Sequence, residues 1–191
     1  MAQPHRFPAV ARLQIEYDGL ANQPARSLSV DERRGLEYFL ADTVRQSSSS
    51  ERINRWVGFV HELDLFVEHH GRMPVPASRS PRPQDREQIL IDRLSYQRRP
   101  AVRATHCSYQ IRRLEGVPGF RWSPQHDRWM DRFLAHQAFW EENHRAPERR
   151  SPVRDEAALG RWAAEQRALY RATRLRPDRF NILRRAHYRV V

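Results

Sequence analysis

Residues 56–74 read WVGFVHELDLFVEHHGRMP, and residues 129–147 read WMDRFLAHQAFWEENHRAP. Laid on one another without a gap, Trp56 meets Trp129, Val60 meets Phe133, Phe66 meets Phe139 and Glu68 meets Glu141. Arg72 then meets Arg145 and Pro74 meets Pro147. A loop of different length follows, after which the register resumes. Leu90 stands opposite Leu159, Gln97-Arg98 opposite Gln166-Arg167, Ile111 opposite Phe180 and Leu114 opposite Leu183. Self-similarity over such a length signals one supersecondary plan used twice.

The plan is helical. Trp56, Val60, Leu63 and Val67 fall at helical spacing, with Phe59 and Phe66 widening the stripe, and Trp129, Phe133 and Trp140 repeat it. Pro74 and Pro76, like Pro147 and Pro152, cannot continue a helix interior, so a loop follows in each copy. The pattern predicts a second helix over 84–99 and 155–171, with acids at its start to suit the dipole. It predicts a third over 105–116 and 176–186, with Pro177 in a first turn. The expectation is an all-α fold of tandem three-helix bundle repeats, at residues 51–122 and 123–191. A short helical segment, residues 1–50, precedes them. Its start reads as irregular at Pro4 and Pro8. A helix then runs from Ser29 to Arg45, capped by Ser29 with Glu32 three residues on, and Leu36, Phe39, Leu40 and Val44 form its apolar face. Ser47 to Ser50 reads as a flexible joint, and 28–37 also reads as the close of a degenerate partial repeat.

The chain has 191 residues, enough for one ordinary domain or two small ones. Hydrophobic residues make up 39% and charged residues 30%, so the cores must be modest and lean on five Trp, eight Phe and six Tyr. The formal net charge of +11 favours a polyanionic partner. All 34 basic residues are Arg, a bias that a GC-rich genome explains in part. A lone cysteine, Cys107, excludes an internal disulfide, and no apolar run is long enough for a signal peptide or a membrane span. These features predict a cytoplasmic protein with no membrane partner.

The charge is unevenly divided. Residues 1–50 are neutral, 51–71 and 123–143 each carry −2, and 72–122 and 144–191 carry +7 and +8. Acidic opening helices followed by basic remainders suggest that helices two and three of each copy face phosphate. The candidate contacts are Arg98, Arg99, Arg112 and Arg113 in the first copy and Arg167, Arg171, Arg184 and Arg185 in the second, with Gln97 and Gln166 placed to read adenine. Adjacent arginines on a helix point different ways, so about half of these should touch phosphate. The competing role for each Gln-Arg pair is a bond to a neighbouring loop carbonyl or acid. At helical spacing the Trp and Phe stripe reads as core, as do Trp162 and Tyr170, which leaves Tyr96 and Tyr109 to stack on bases.

Several of these pieces occur together in one known family. Gly71-Arg72-Met73-Pro74, Leu159-Gly160-Arg161-Trp162, the two Gln-Arg pairs and the close Leu114-Glu115-Gly116-Val117-Pro118-Gly119-Phe120-Arg121-Trp122 resemble the helicase-associated domain. The resemblance covers about residues 52–191. Arg93 stands where the second copy has Trp162, and the second copy ends His187-Tyr188-Arg189-Val190-Val191 without the Pro-Gly-Phe-x-Trp close. The resemblance implies a three-helix module, usually in tandem and often appended to bacterial helicases, that binds nucleic acid.

Motifs for catalysis are missing. Without lysine the chain has no Walker lysine, Schiff base or Ser-Lys dyad, and His61-Glu62 is followed at position 65 by Leu65 rather than the histidine of a zinc protease. His69, His70, His106 and Cys107 would need loops to gather them before they formed a metal site, and the competing role is a solvated or capping histidine. Glu141-Glu142 and Asp155-Glu156 read as solvated or helix-capping acids. The expectation is a non-enzymatic protein without cofactor that binds nucleic acid, duplex DNA above single strands or RNA. The alternative is an adaptor subunit docking on a helicase or another protein machine.

Overall fold

The computed structural model describes residues 7–43, 48–77, 81, 83–186 and 190. Among them the regular structure is helical throughout: α1 (Pro8–Ala21), α2 (Val30–Thr43), α3 (Glu51–His70), α4 (Arg86–Gln97), α5 (Pro100–Arg103), α6 (Ser108–Glu115), α7 (Pro124–Asn143), α8 (Arg154–Arg171) and α9 (Pro177–Arg185). The chain divides into two compact units, Met1–Trp122 and Ser123–Val191.

In the first unit α2 is the central element, packed against α1, α3 and α6, while α1 also touches α6 and α3 touches α4. The N-terminal helices thus belong to the unit's core rather than standing apart from it. Leu13 and Tyr17 of α1 and Tyr38 and Phe39 of α2 join Trp56, Val60, Leu63, Leu90, Leu94 and Leu114 in one buried cluster. The expected irregular start at Pro8 is corrected by this arrangement. Pro8 occupies the first turn of α1, where a missing N–H costs little because first-turn N–H groups have no carbonyl partner within the helix. Pro4, Val44, Arg45 and Ser47 lie outside the described residues. Ser48 and Ser50 are not a loose joint: Asn54 donates to the Ser48 carbonyl and accepts its N–H, both at 2.8 Å, and the Ser48 hydroxyl accepts the Ser50 N–H.

The capping box at α2 is present. The Ser29 hydroxyl accepts the Glu32 N–H at 3.2 Å and the Glu32 carboxylate accepts the Ser29 N–H at 2.7 Å. The expected helix over 84–99 is shorter, because Arg99 turns extended and Pro100 opens the separate short helix α5.

In the second unit α7 packs on α8, and Trp129, Phe133, Trp162, Ala163, Leu183 and Val190 form the core. Pro177 opens α9 as expected. The same local device closes α3 in the first unit and α7 in the second. Gly71 and His144 both take a left-handed conformation, with φ 64° and 52°, and their N–H groups bond the carbonyls of Val67 and Trp140. Arg72 then lies over Phe66 and pairs with Glu87, whose carboxylate also accepts the Val75 N–H. In the second unit Arg145 lies over Phe139 and pairs with Glu156, whose carboxylate also accepts the Glu148 N–H. The arginine of the Gly-Arg-x-Pro stretch therefore ties the turn to the next helix.

Candidate nucleic-acid interface

The sequence singles out ten polar side chains, and folding assigns them to three different environments. Two are core residues. Arg113 is fully buried on α6, donating through Nε to Asp42 at 2.7 Å and through its terminal nitrogens to Asp64. Asp42 in turn accepts the Tyr109 hydroxyl and a His61 ring nitrogen, both at 2.6 Å. Burial alone would raise the Asp42 carboxyl, but His61, Arg113 and Tyr109 together hold it well below its ordinary value. Gln166 is also buried and accepts the Trp129 indole N–H at 2.9 Å. Arg113 and Gln166 are corrected on this ground, since neither reaches an external phosphate or base. Tyr109, expected to stack on bases, is buried against Asp42 and is corrected too.

Two more arginines brace loops. Arg98 donates to the Arg121 carbonyl at 2.8 Å, and Arg167, its aligned counterpart, donates to the Val190 carbonyl at 3.2 Å. Each bond spans 23 residues and fastens the end of its unit. The loop-carbonyl role weighed for the Gln-Arg pairs is thus the one their arginines adopt. Arg112 is exposed but engaged, forming a two-pronged pair with Glu16 of α1 at 2.5 and 2.6 Å.

The remaining arginines face solvent. Arg99 lies over the ring of Tyr96, itself 50% exposed. Arg171, Arg184 and Arg185 are exposed and belong to no ion pair among the described residues. Tyr170, expected in the core, is instead 47% exposed and stacked on Phe180 with ring centroids 5.4 Å apart. Gln97 is half-buried, and its Oε1 finds no partner among the described residues. The Trp and Phe stripes of α3 and α7 are mostly buried, with Phe66, Phe139 and Trp140 only partly so.

A basic and aromatic cluster not expected from the pattern lies beside α4 and α5. Arg98 sits over Phe120 at 5.3 Å and Arg103 over Trp122 at 4.5 Å, while Phe120 and Trp122 meet edge to face at 4.9 Å. Phe120 and Trp122 were read only as a closing motif, and Arg103 followed the truncated helix, so helical spacing carried no signal for their meeting.

The charge pattern also gains a second cause. Glu62 on the acidic opening helix pairs with Arg93 of α4 at 2.7 Å, and Asp64 pairs with Arg113 of α6. Part of the division into acidic and basic segments is therefore pairing between helices of one unit. Among the described residues no group of three or more His, Cys, Asp or Glu is arranged to hold a metal ion, and His70 instead stacks on Phe66. No described helix is long and apolar enough to cross a membrane.

No family model matches the chain, and no curated protein or solved structure matches it.

Proposed function

We propose that the chain is a non-catalytic nucleic-acid-binding protein that grips duplex DNA through the phosphate backbone. The observation that carries this reading is the set of exposed guanidinium groups that no acid among the described residues answers, Arg171, Arg184 and Arg185 above all. A guanidinium left unpaired by its own fold is free to fork onto phosphate oxygens, and arginine suits that geometry better than lysine. The resemblance to the helicase-associated domain favours the same ligand, and a chain of 34 Arg and no Lys would accompany a motor rather than supply its Walker lysine. Arg99 beside the exposed Tyr96 adds a stacked cation in the first unit.

Fluorescence anisotropy with labelled duplex DNA, single-stranded DNA and RNA tests the reading. Duplex affinity should exceed the other two, with log K falling linearly against log salt concentration. A chain that ignores all three at physiological salt would instead be an adaptor whose arginines serve solubility.

A further inference from the structure

Between α3, α4 and α5 of the first unit lies an open cleft of about 1000 Å³. That is room enough for a small organic ligand, whose sites usually run to about 300–1000 Å³. Trp56 and Phe59 of α3, Tyr96 and Gln97 of α4, and Val102 and His106 contribute to its walls.

The polar groups of this wall are unfinished. The indole Nε1 of Trp56, the Oε1 of Gln97 and both ring nitrogens of His106 are buried without a hydrogen-bond partner, and Trp56 is only 6% exposed. A desolvated polar group without a partner is costly, so side chains that line the cleft and carry such groups gain by turning them to an occupant that completes them. Their chemistry narrows the choice. Indole only donates, the Gln97 oxygen only accepts, and a neutral imidazole does one at each nitrogen. Burial first, then the nearby charges of Arg34, Arg52 and Arg103, hold His106 below its ordinary value, which keeps it neutral at pH 7.

The charged groups of the wall are unequally engaged. Glu62 pairs with Arg93, and Asp92 accepts the side-chain amide of Gln88. Among the described residues Arg55 pairs with Glu51 alone, at a loose 3.7 Å and in solvent, and Arg52 is exposed with no ion pair. An inorganic anion or a simple carboxylate would answer these arginines but leave the Gln97 oxygen without a donor. A nucleotide carries donor and acceptor along its base edge, a π face for the aromatic wall and a phosphate for the arginines.

We propose that this cleft binds one nucleotide, its base edge on Gln97 and Trp56 and its phosphate at Arg52 and Arg55. The nucleotide is either free in solution or unstacked from a strand. Unlike backbone binding, this site needs no duplex.

Isothermal titration of the full chain with AMP, GMP, CMP and UMP, against ribose 5-phosphate and inorganic phosphate, tests it. At least one mononucleotide should bind about tenfold tighter than ribose 5-phosphate. Gln97→Ala, and separately Arg52→Ala with Arg55→Ala, should each weaken it about tenfold with thermal melting unchanged. The two arginines are exposed, so their variant tests the site even if Gln97→Ala folds poorly. A second arm compares a hairpin carrying one bulged nucleotide with the fully paired hairpin. Tighter binding of the bulge, lost in the same variants, would assign the nucleotide to a strand and sustain the proposal without free-nucleotide binding. Two results would overturn it: no preference in either arm, with ribose 5-phosphate matching every mononucleotide and the paired hairpin matching the bulge, or a preference indifferent to both variants. A bound duplex with an indifferent cleft would leave the backbone reading standing. Nucleotide binding without duplex affinity would overturn the backbone reading alone.

Discussion

Arg112 and Arg113 are neighbours with opposite fates. Arg113 shares a buried face with Tyr109, Gln110 and Leu114, whereas Arg112 points to solvent and Glu16. Removing one partner of a buried ion network leaves the others desolvated and uncompensated. Arg113→Met should therefore cost about 3–5 kcal/mol, with Asp42 and Asp64 stranded. Arg112→Ala, at a pair in water, should cost no more than about 1 kcal/mol. Urea unfolding of the two variants checks this, and equal losses would contradict the assignment. The spacing of four between Tyr109 and Arg113 puts them on one helical face, yet both were read as reaching outward, to bases and to phosphate. The acids that neutralise Arg113 were not legible in the sequence, because they come from α2 and α3, remote in sequence. Titration is also a residue matter. Burial, then Arg167, holds His136 down at about 4 against an ordinary 6.5. The unfolded chain thus takes up this proton first, and stability falls as pH drops from about 6.5 to about 4. Arg145, then the Glu148 N–H and the Ser151 hydroxyl, lower Glu156 from 4.5 to about 2. Its stabilisation is complete above about pH 4.5 and is lost as pH falls to about 2. Acid unfolding followed by near-ultraviolet circular dichroism should lose its upper part in His136→Leu and its lower part in Glu156→Gln.

At the scale of the element, the end of the opening helix shows why two aligned copies differ in cost. Gly71 takes its left-handed turn without a Cβ, while His144 takes the same turn with one. Replacing His144 with Gly should stabilise the chain by about 1 kcal/mol, read as a higher thermal midpoint. A lower midpoint would contradict it. Gly160 obeys the opposite logic. A Cβ there would lie 2.5 Å from the backbone of Glu148 and Arg149, so α8 approaches that loop as only glycine allows. Gly160→Ala should lose about 1–3 kcal/mol through overpacking, although alanine is the better helix former. Caps and prolines at Ser29, Glu32 and Pro177 were readable because they act within a few residues. The helix at Pro8 was not, since the same residue that breaks a helix interior also suits a first turn. Arg98 and Arg167 could be read as reaching phosphate or as bonding a neighbouring loop carbonyl, and only the return of the chain to Arg121 and Val190 decides for the second.

For the whole molecule, a net charge of +11 is an incomplete guide to the binding surface, because folding spends Arg72, Arg93, Arg112, Arg113 and Arg145 on the chain's own acids. Arg171, Arg184 and Arg185 remain as exposed charge in the second unit. The direct measurement is the slope of log K for duplex DNA against log salt concentration, in the native chain and in a variant with these three changed to Gln. Each lost phosphate contact should reduce the slope by about 0.9, so the variant should be shallower by up to about 2.7, with its fold intact by circular dichroism. An unchanged slope and affinity in the folded variant would contradict the proposed interface.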